Sequence, residues 1–287
     1  MRHFLVVTMR IFFAGLAATA ITAVLALQAN AQTQASPQTQ ATAQPQPTAT
    51  ASGRKPVLVE LFTAEGCSTC PPAEAMAQKM EQQVLPGADV IVLEEHVDYW
   101  NQYGWIDPFS SGEWTERQRD YVSKLADKSP YTPEMVVDGQ TQFVGNNGRE
   151  AQAAIEKEVR EPETNITVTE GKQDPNDSGD FDVSVGELQG NAPGDTAEVW
   201  LAVTEDGLHS SVTRGENAGH VLNHAAVLRS LHKIGVAQAK GDKTSFAGDA
   251  RVKFKSDWKR ENLRVVVFVQ EKKSRKILGA ASTKVAG

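Results

Sequence analysis

Cysteine is scarce: the 287-residue chain holds two, Cys67 and Cys70. That number excludes a disulfide scaffold, which uses many more. An excess of basic charge is missing as well. The formal net charge is −7, falling to about −9 once Arg2 and Arg10 are removed. Phosphate recognition needs clustered Lys and Arg, so nucleic acid is excluded as a partner. Beyond Leu27 no run is apolar enough to cross a bilayer. An internal repeat is lacking too.

What is present begins with an export signal. Arg2 and Arg10 give a positive start, Ile11 to Leu27 is uncharged and apolar, and Ala29-Asn30-Ala31 is a small-x-small cleavage pattern. Residues 1–31 therefore read as a signal peptide and Gln32 as the mature start, which places the protein in the periplasm or outside the cell. Cleavage leaves a soluble chain without stable membrane insertion; retention would leave an N-terminal anchor. Residues 32–55 are almost only Gln, Thr, Ala, Pro and Ser. Such a stretch has too little apolar surface to offset the entropy of ordering and reads as a disordered tether.

Pro56 to Phe62 is a short apolar run that predicts a buried parallel strand. Ala73, Met76, Ala77 and Met80 then recur at helical spacing, with Pro71 and Pro72 suited to the first turn. Val90 to Leu93 predicts a second strand ending at His96-Val97-Asp98, completing a βαβ unit. A second helix is expected over 113–127. Asp138-Gly139 joins a hairpin of Met135–Val137 with Thr141–Val144, and an amphipathic helix follows over 149–159. Residues 56–162 thus read as an α/β domain (βαβ plus ββα). Residues 163–287 read as a mainly β, sandwich-like domain, interrupted by one helix over 220–234.

A Cys-x-x-Cys pair entering a helix is suited to a disulfide across the first turn. Unpaired N–H groups and the macrodipole there favour an anion, so Cys67 is the expected nucleophile and Cys70 the resolving thiol. Exchange would run through a mixed disulfide with a partner cysteine. A staple closing so short a loop removes little unfolded-state entropy, which favours chemistry over stabilisation.

Leu58-Val59-Glu60-Leu61-Phe62 followed by Cys67-Ser68-Thr69-Cys70 resembles the strand-to-active-site passage of thioredoxins, and Thr132-Pro133 resembles their Thr-Pro element. The resemblance implies a cis Pro133 facing the cysteines, with the Thr132 backbone pairing to substrate. More closely, three segments resemble a family of secreted thioredoxin-like proteins that carries only a domain-of-unknown-function label, number 1223. They are Glu60 to Pro72, His96 to Trp100 and Tyr131 to Gly139. The resemblance implies a thioredoxin-like fold and no particular physiological activity. Departures from thioredoxin are Gly66 before the pair, Pro71-Pro72 after it, and Glu60 seven residues ahead of Cys67 instead of six. Glu60 is either a buried proton acceptor for Cys70 or a solvated strand-end carboxylate.

Trp100 and Trp105 lie in the densest aromatic stretch, Tyr99 to Phe109. They read either as a substrate-binding wall beside Cys67, together with Thr132, or as rings covering the core. His96 and Asp98 alternate and suggest a polar pair. His220 and His224 stand at i and i+4 without the Glu that a zinc protease motif places between them, and no metal site is assigned. The expected function is an exported thiol–disulfide oxidoreductase acting on protein thiols or disulfides, with no dissolved cofactor. The alternatives are a binding protein with a structural disulfide, a Cu(I) metallochaperone, and a peroxidase.

Overall fold

Residues 56–62 are apolar at almost every position because β1 (Lys55–Thr63) is covered on both faces. Val57, Val59 and Leu61 face α1 (Pro71–Gln82) and α3 (Gly148–Glu158), while Leu58 faces the side on which α2 (Gly112–Lys124) contributes Trp114. In a computed structural model of the chain, residues 53–125, 129–174, 177–238 and 244–286 are described. All fall within the compact unit Gln44–Gly287. The expected signal peptide, 1–31, and the expected tether up to residue 52 lie outside the described residues. Among those described, no helix is long and apolar enough to cross a membrane.

β1 pairs in parallel with β2 (Ala88–His96) and antiparallel with β3 (Glu134–Val137), which turns back into β4 (Thr141–Val144). The β3–β4 turn places Asp138 at φ 44° and Gly139 at φ 66°, the backbone that an Asp-Gly hairpin adopts. The helices start on matching local chemistry. Pro71 and Pro72 open α1, and the side chains of Ser111 and Asn147 accept from Glu113 N and Glu150 N at the starts of α2 and α3.

The sheet does not stop there. The free edge of β2 takes β10 (Val227–Ala237) in a parallel contact, Val227 opposite Glu94, with Glu94 N donating to Ala226 O at 2.9 Å. Beyond β10 follow β7 (Ala197–Glu205), β12 (Leu263–Glu271) and β13 (Ile277–Lys284), giving the order β13-β12-β7-β10-β2-β1-β3-β4. A three-stranded sheet of β11 (Thr244–Lys253), β6 (Ser178–Gly186) and β5 (Ile166–Asp174) packs on β7 and β12. Phe181, Val183 and Val185 meet Val199, Leu201, Val203, Val265 and Val267. A short ribbon of β8 (Leu208–Ser211) and β9 (Val221–His224) completes the fold.

This architecture corrects the expected fold class. The described residues are mainly β, 46% in strands and 19% in helices, with three α-helices and one mixed eight-stranded sheet. A βαβ thioredoxin-like domain followed by a sandwich does not describe it. The physical reason is the β2 edge: local hydrophobic patterning specifies each strand but not which distant segment takes up its hydrogen bonds. The helix expected over 220–234 is also absent. Leu222 and His224 point inward while Val221 and Asn223 point out, a period of two, and Ala226 at φ 53° breaks any helical path into β10.

Candidate functional site

The chain leaving β1 turns tightly into α1, and the cysteines occupy that turn. Cys67 N donates to Ala64 O at 3.1 Å and Cys70 N to Cys67 O at 3.2 Å. Cys70 is the N-cap of α1, its carbonyl accepting from Ala73 and Glu74. The two sulfurs are bonded, with Cα atoms 5.4 Å apart. Cys67 is 1% exposed and Cys70 0%, while Ser68 and Thr69 between them face solvent.

The cover comes from the segment between β8 and β9. Asn217 Nδ2 donates to Glu65 O at 2.8 Å and Cys67 O at 3.0 Å. Glu216 Oε2 accepts from Ser68 N at 3.1 Å and Ser68 Oγ at 2.7 Å, and these bonds hold its carboxyl below the usual range. Gly215, at φ 77°, lies so close to Trp105 that an added Cβ would stand 3.3 Å from the Trp105 Cβ. Trp105 Nε1 donates to Glu65 Oε2 at 2.6 Å, and Trp100 Nε1 to Thr132 Oγ1 at 2.7 Å. Trp100 also packs on Gly66, where an added Cβ would meet its Cβ at 3.3 Å. The Thr132–Pro133 bond is cis. Gly145 has no room for a side chain between Leu61, Ala73 and Pro133, which lets the β3–β4 hairpin approach α1. Cys67, Cys70, Trp100, Trp105, Thr132 and Pro133 therefore gather around one turn.

Behind it lies a buried set of acids and imidazoles. His224 Nε2 is 3.0 Å from Glu65 Oε1, and its Nδ1 is 3.2 Å from Glu74 Oε2. Glu74 Oε1 accepts from Thr63 Oγ1 at 2.5 Å. His96 Nδ1 is 2.7 Å from Asp107 Oδ2, which also accepts from Glu65 N at 2.8 Å. Burial alone would lower the His224 pKa, but the bonds to Glu65 and Glu74 outweigh it and push it up to about 10. Burial, reinforced by Glu74, drives the Glu94 carboxyl well above its ordinary range. The expected His96–Asp98 pair is not formed, since Asp98 Oδ1 accepts from Thr115 Oγ1 at 2.6 Å instead. His220 is exposed, so of the expected i and i+4 pair only His224 enters the cluster.

Glu60 belongs to a neighbouring cluster and is not solvated. It is 1% exposed, with Oε1 receiving Arg117 Nε at 2.5 Å and Oε2 receiving the Tyr121 hydroxyl. Glu95 Oε1 lies 3.5 Å from the same Arg117 nitrogen, and burial followed by the Glu60 charge pushes its carboxyl well up. Tyr121 packs with Phe62, Cys67 and Cys70, joining this cluster to the cysteine turn.

Sequence reasoning gave no role to Glu65, Glu74, Glu94, Asp107 or Asn217. One signal was available. Glu94-Glu95-His96 follows the apolar run Val90 to Leu93 at the end of β2, and all three are buried. Charged groups are almost never fully buried unless paired.

Residues 58–270 match the profile of a family described as Protein of unknown function (DUF1223). No curated protein matches the chain. Among solved structures, protein AGR_C_4864 from Agrobacterium tumefaciens is similar at 23% identity and a TM-score of 0.58, covering 80% of this chain and 97% of its own. HBP35 of Porphyromonas gingivalis is similar at 16% identity and a TM-score of 0.57, covering 82% and 76%. At these identities the likeness concerns the fold alone.

Proposed function

The chain belongs to the DUF1223 family, whose description assigns no activity, and from the site itself we propose an exported thiol–disulfide oxidoreductase acting on protein thiols or disulfides. The observation that carries this reading is the placement of the bonded Cys67–Cys70 pair at the start of α1, under a cover made of side-chain contacts. A partner thiolate attacks Cys67 Sγ, the Cys67–Cys70 bond breaks, and Cys70 leaves as a thiolate that takes up a proton. The partner's second thiolate then attacks its own sulfur in the mixed disulfide and releases Cys67. Two electrons and two protons have passed to the cysteine pair. In reverse, Cys67 thiolate attacks a partner disulfide, favoured by the N–H groups and dipole of α1.

The negative charge of Glu65 does not oppose this chemistry, because His224 and Trp105 hold both its oxygens. The partly exposed Trp100, Trp105 and Thr132 offer the surface against which a partner strand would lie, with the buried cis Pro133 next to Thr132. Access requires the Glu216–Asn217 segment to lift from Ser68 and Cys67. Export follows from the charged, apolar and small-x-small order of residues 1–31.

The test is a Cys70→Ser variant expressed in the exporting cell. Cys67 should then accumulate in mixed disulfides with extracytoplasmic proteins, whose identity names the pathway, and Cys67→Ser should abolish capture. An empty trap, with a disulfide that resists dithiol reductants in the folded protein, would leave the pair as a structural staple.

A further inference from the structure

We infer that Glu94, His96 and His224 form a binding site for one divalent transition-metal ion of the zinc type. The three side chains each offer a ligand atom, and these atoms lie within 4.8 Å of one another. All three residues are buried, at 1%, 0% and 3% exposure. Among the described residues Glu94 Oε2 and His96 Nε2 have no hydrogen-bond partner. Buried polar atoms are paired as a rule, and two unpaired ones in one cluster point to an electrophile as their partner.

The surroundings match what a metal-bound imidazole requires. Ligating histidines almost always give their second ring nitrogen to a carboxylate or carbonyl, which fixes the tautomer and orients the ring. His96 does so through Nδ1 to Asp107 at 2.7 Å, and His224 through Nε2 to Glu65 at 3.0 Å. His96 leaves Nε2 for the ion, and His224 leaves Nδ1, which otherwise faces Glu74 Oε2 at 3.2 Å. The rings stand 4.8 Å apart at 82°, and Phe109 packs edge-on to both at 5.6 Å, an apolar wall that keeps the site dry. Glu74, 3.2 Å from His224 Nδ1 and steadied by Thr63, is placed to supply a fourth ligand.

Charge balance points the same way. Four buried carboxylates, those of Glu65, Glu74, Glu94 and Asp107, face two imidazoles. Buried charges are paired or coordinate metals. Two nitrogens with carboxylate oxygens suit zinc and its first-row neighbours, whereas calcium and magnesium prefer all-oxygen shells. Tetrahedral bonds of about 2.1 Å set ligand atoms about 3.4 Å apart, so binding draws the three groups together. Strand geometry explains their meeting. Glu94 and His96 share one face of β2, and the turn at Ala225-Ala226 swings His224 from the end of β9 beside them.

The test uses the tag-free protein with its disulfide oxidised, so that thiolates contribute nothing. Titration with Zn2+ should give one equivalent bound and a raised melting temperature. Co2+ should give the absorption of a nitrogen/oxygen site without a thiolate charge-transfer band. Glu94→Gln and His96→Gln should each weaken Zn2+ binding by about 100-fold, while Cys67→Ser/Cys70→Ser should bind as the wild type does. Absence of stoichiometric binding by the folded wild type would overturn the site, as would binding that needs the cysteines. Because the readout is metal binding by the oxidised protein, it stands apart from any result on thiol exchange.

Discussion

Arg117 Nε lies 2.5 Å from Glu60 Oε1, and both side chains are buried between β1 and α2. The same guanidinium reaches Gln270 Oε1 at 3.2 Å and Tyr121 Oη at 3.2 Å, so one cation ties α2 to β1 and β12. Arg117→Met would leave Glu60 in the interior with no cation. Removing one partner of a buried pair costs about 3–5 kcal/mol. The urea midpoint at neutral pH should drop accordingly, and adding Glu60→Gln to the same chain should recover part of the loss.

Asn217 spans the cysteine turn with one amide. Asn217→Ala leaves the Glu65 and Cys67 carbonyls without that donor, a loss of about 1–3 kcal/mol. The informative measurement is the rate at which dithiothreitol reduces the disulfide of the folded protein. It should rise several-fold in Asn217→Ala and change little in Glu216→Gln, whose contact with Ser68 is exposed.

Asp138 gives stability a pH dependence. Burial raises its carboxyl from 3.8 to about 8, against the bond from Leu58 N. Between those values the folded chain holds a proton that the unfolded chain has lost, so stability falls as pH rises through the window and levels off above it. The slope from this one group is at most about 1.4 kcal/mol per pH unit. Asp138→Asn keeps an oxygen for Leu58 N and tolerates the positive φ. Urea unfolding from pH 5 to 9 should be flatter in the variant than in the wild type.

Trp100 and Thr132 are joined by a single bond from indole nitrogen to hydroxyl. Trp100→Phe keeps the ring on Gly66 and removes that bond, at a cost of about 1 kcal/mol. Thr132→Val should cost a similar amount, and the double variant less than the sum, because both delete one interaction. Equal additivity in denaturant unfolding would contradict the contact.

Much of the fold was legible where local chemistry decides it. The apolar run of 56–62, the Pro71-Pro72 helix start and Asp138-Gly139 each specify backbone within a few residues, and the strand, helix and hairpin form there. The joining of β2 to β10 was not legible, because it depends on one bridge, Val227 opposite Glu94, and on Ala226 adopting a positive φ that alanine does not advertise. The false helix over 220–234 has a definite cause. Irregularities in β10 between Leu228 and Ser230 and between Lys233 and Gly235 shift the strand's phase, so Val227, Leu231 and Ile234 recur at intervals of four and three. At the site, the cysteines and the two tryptophans were visible as residue types. The role of Asn217 and the placement of His224 were not, since each acts on partners 150 or more positions away in sequence.

The amide of Asn217 closes over a carbonyl 150 positions upstream. A chain that emerges amino end first therefore presents Cys67 and Cys70 long before their cover exists. A thiol reagent meets the pair unshielded in the open chain and buried in the folded one. That cover is held by a few side-chain bonds beside a two-stranded ribbon, outside the hydrogen bonding of the eight-stranded sheet. The point in synthesis at which the sulfurs are covered is thus set by one short segment far along the chain.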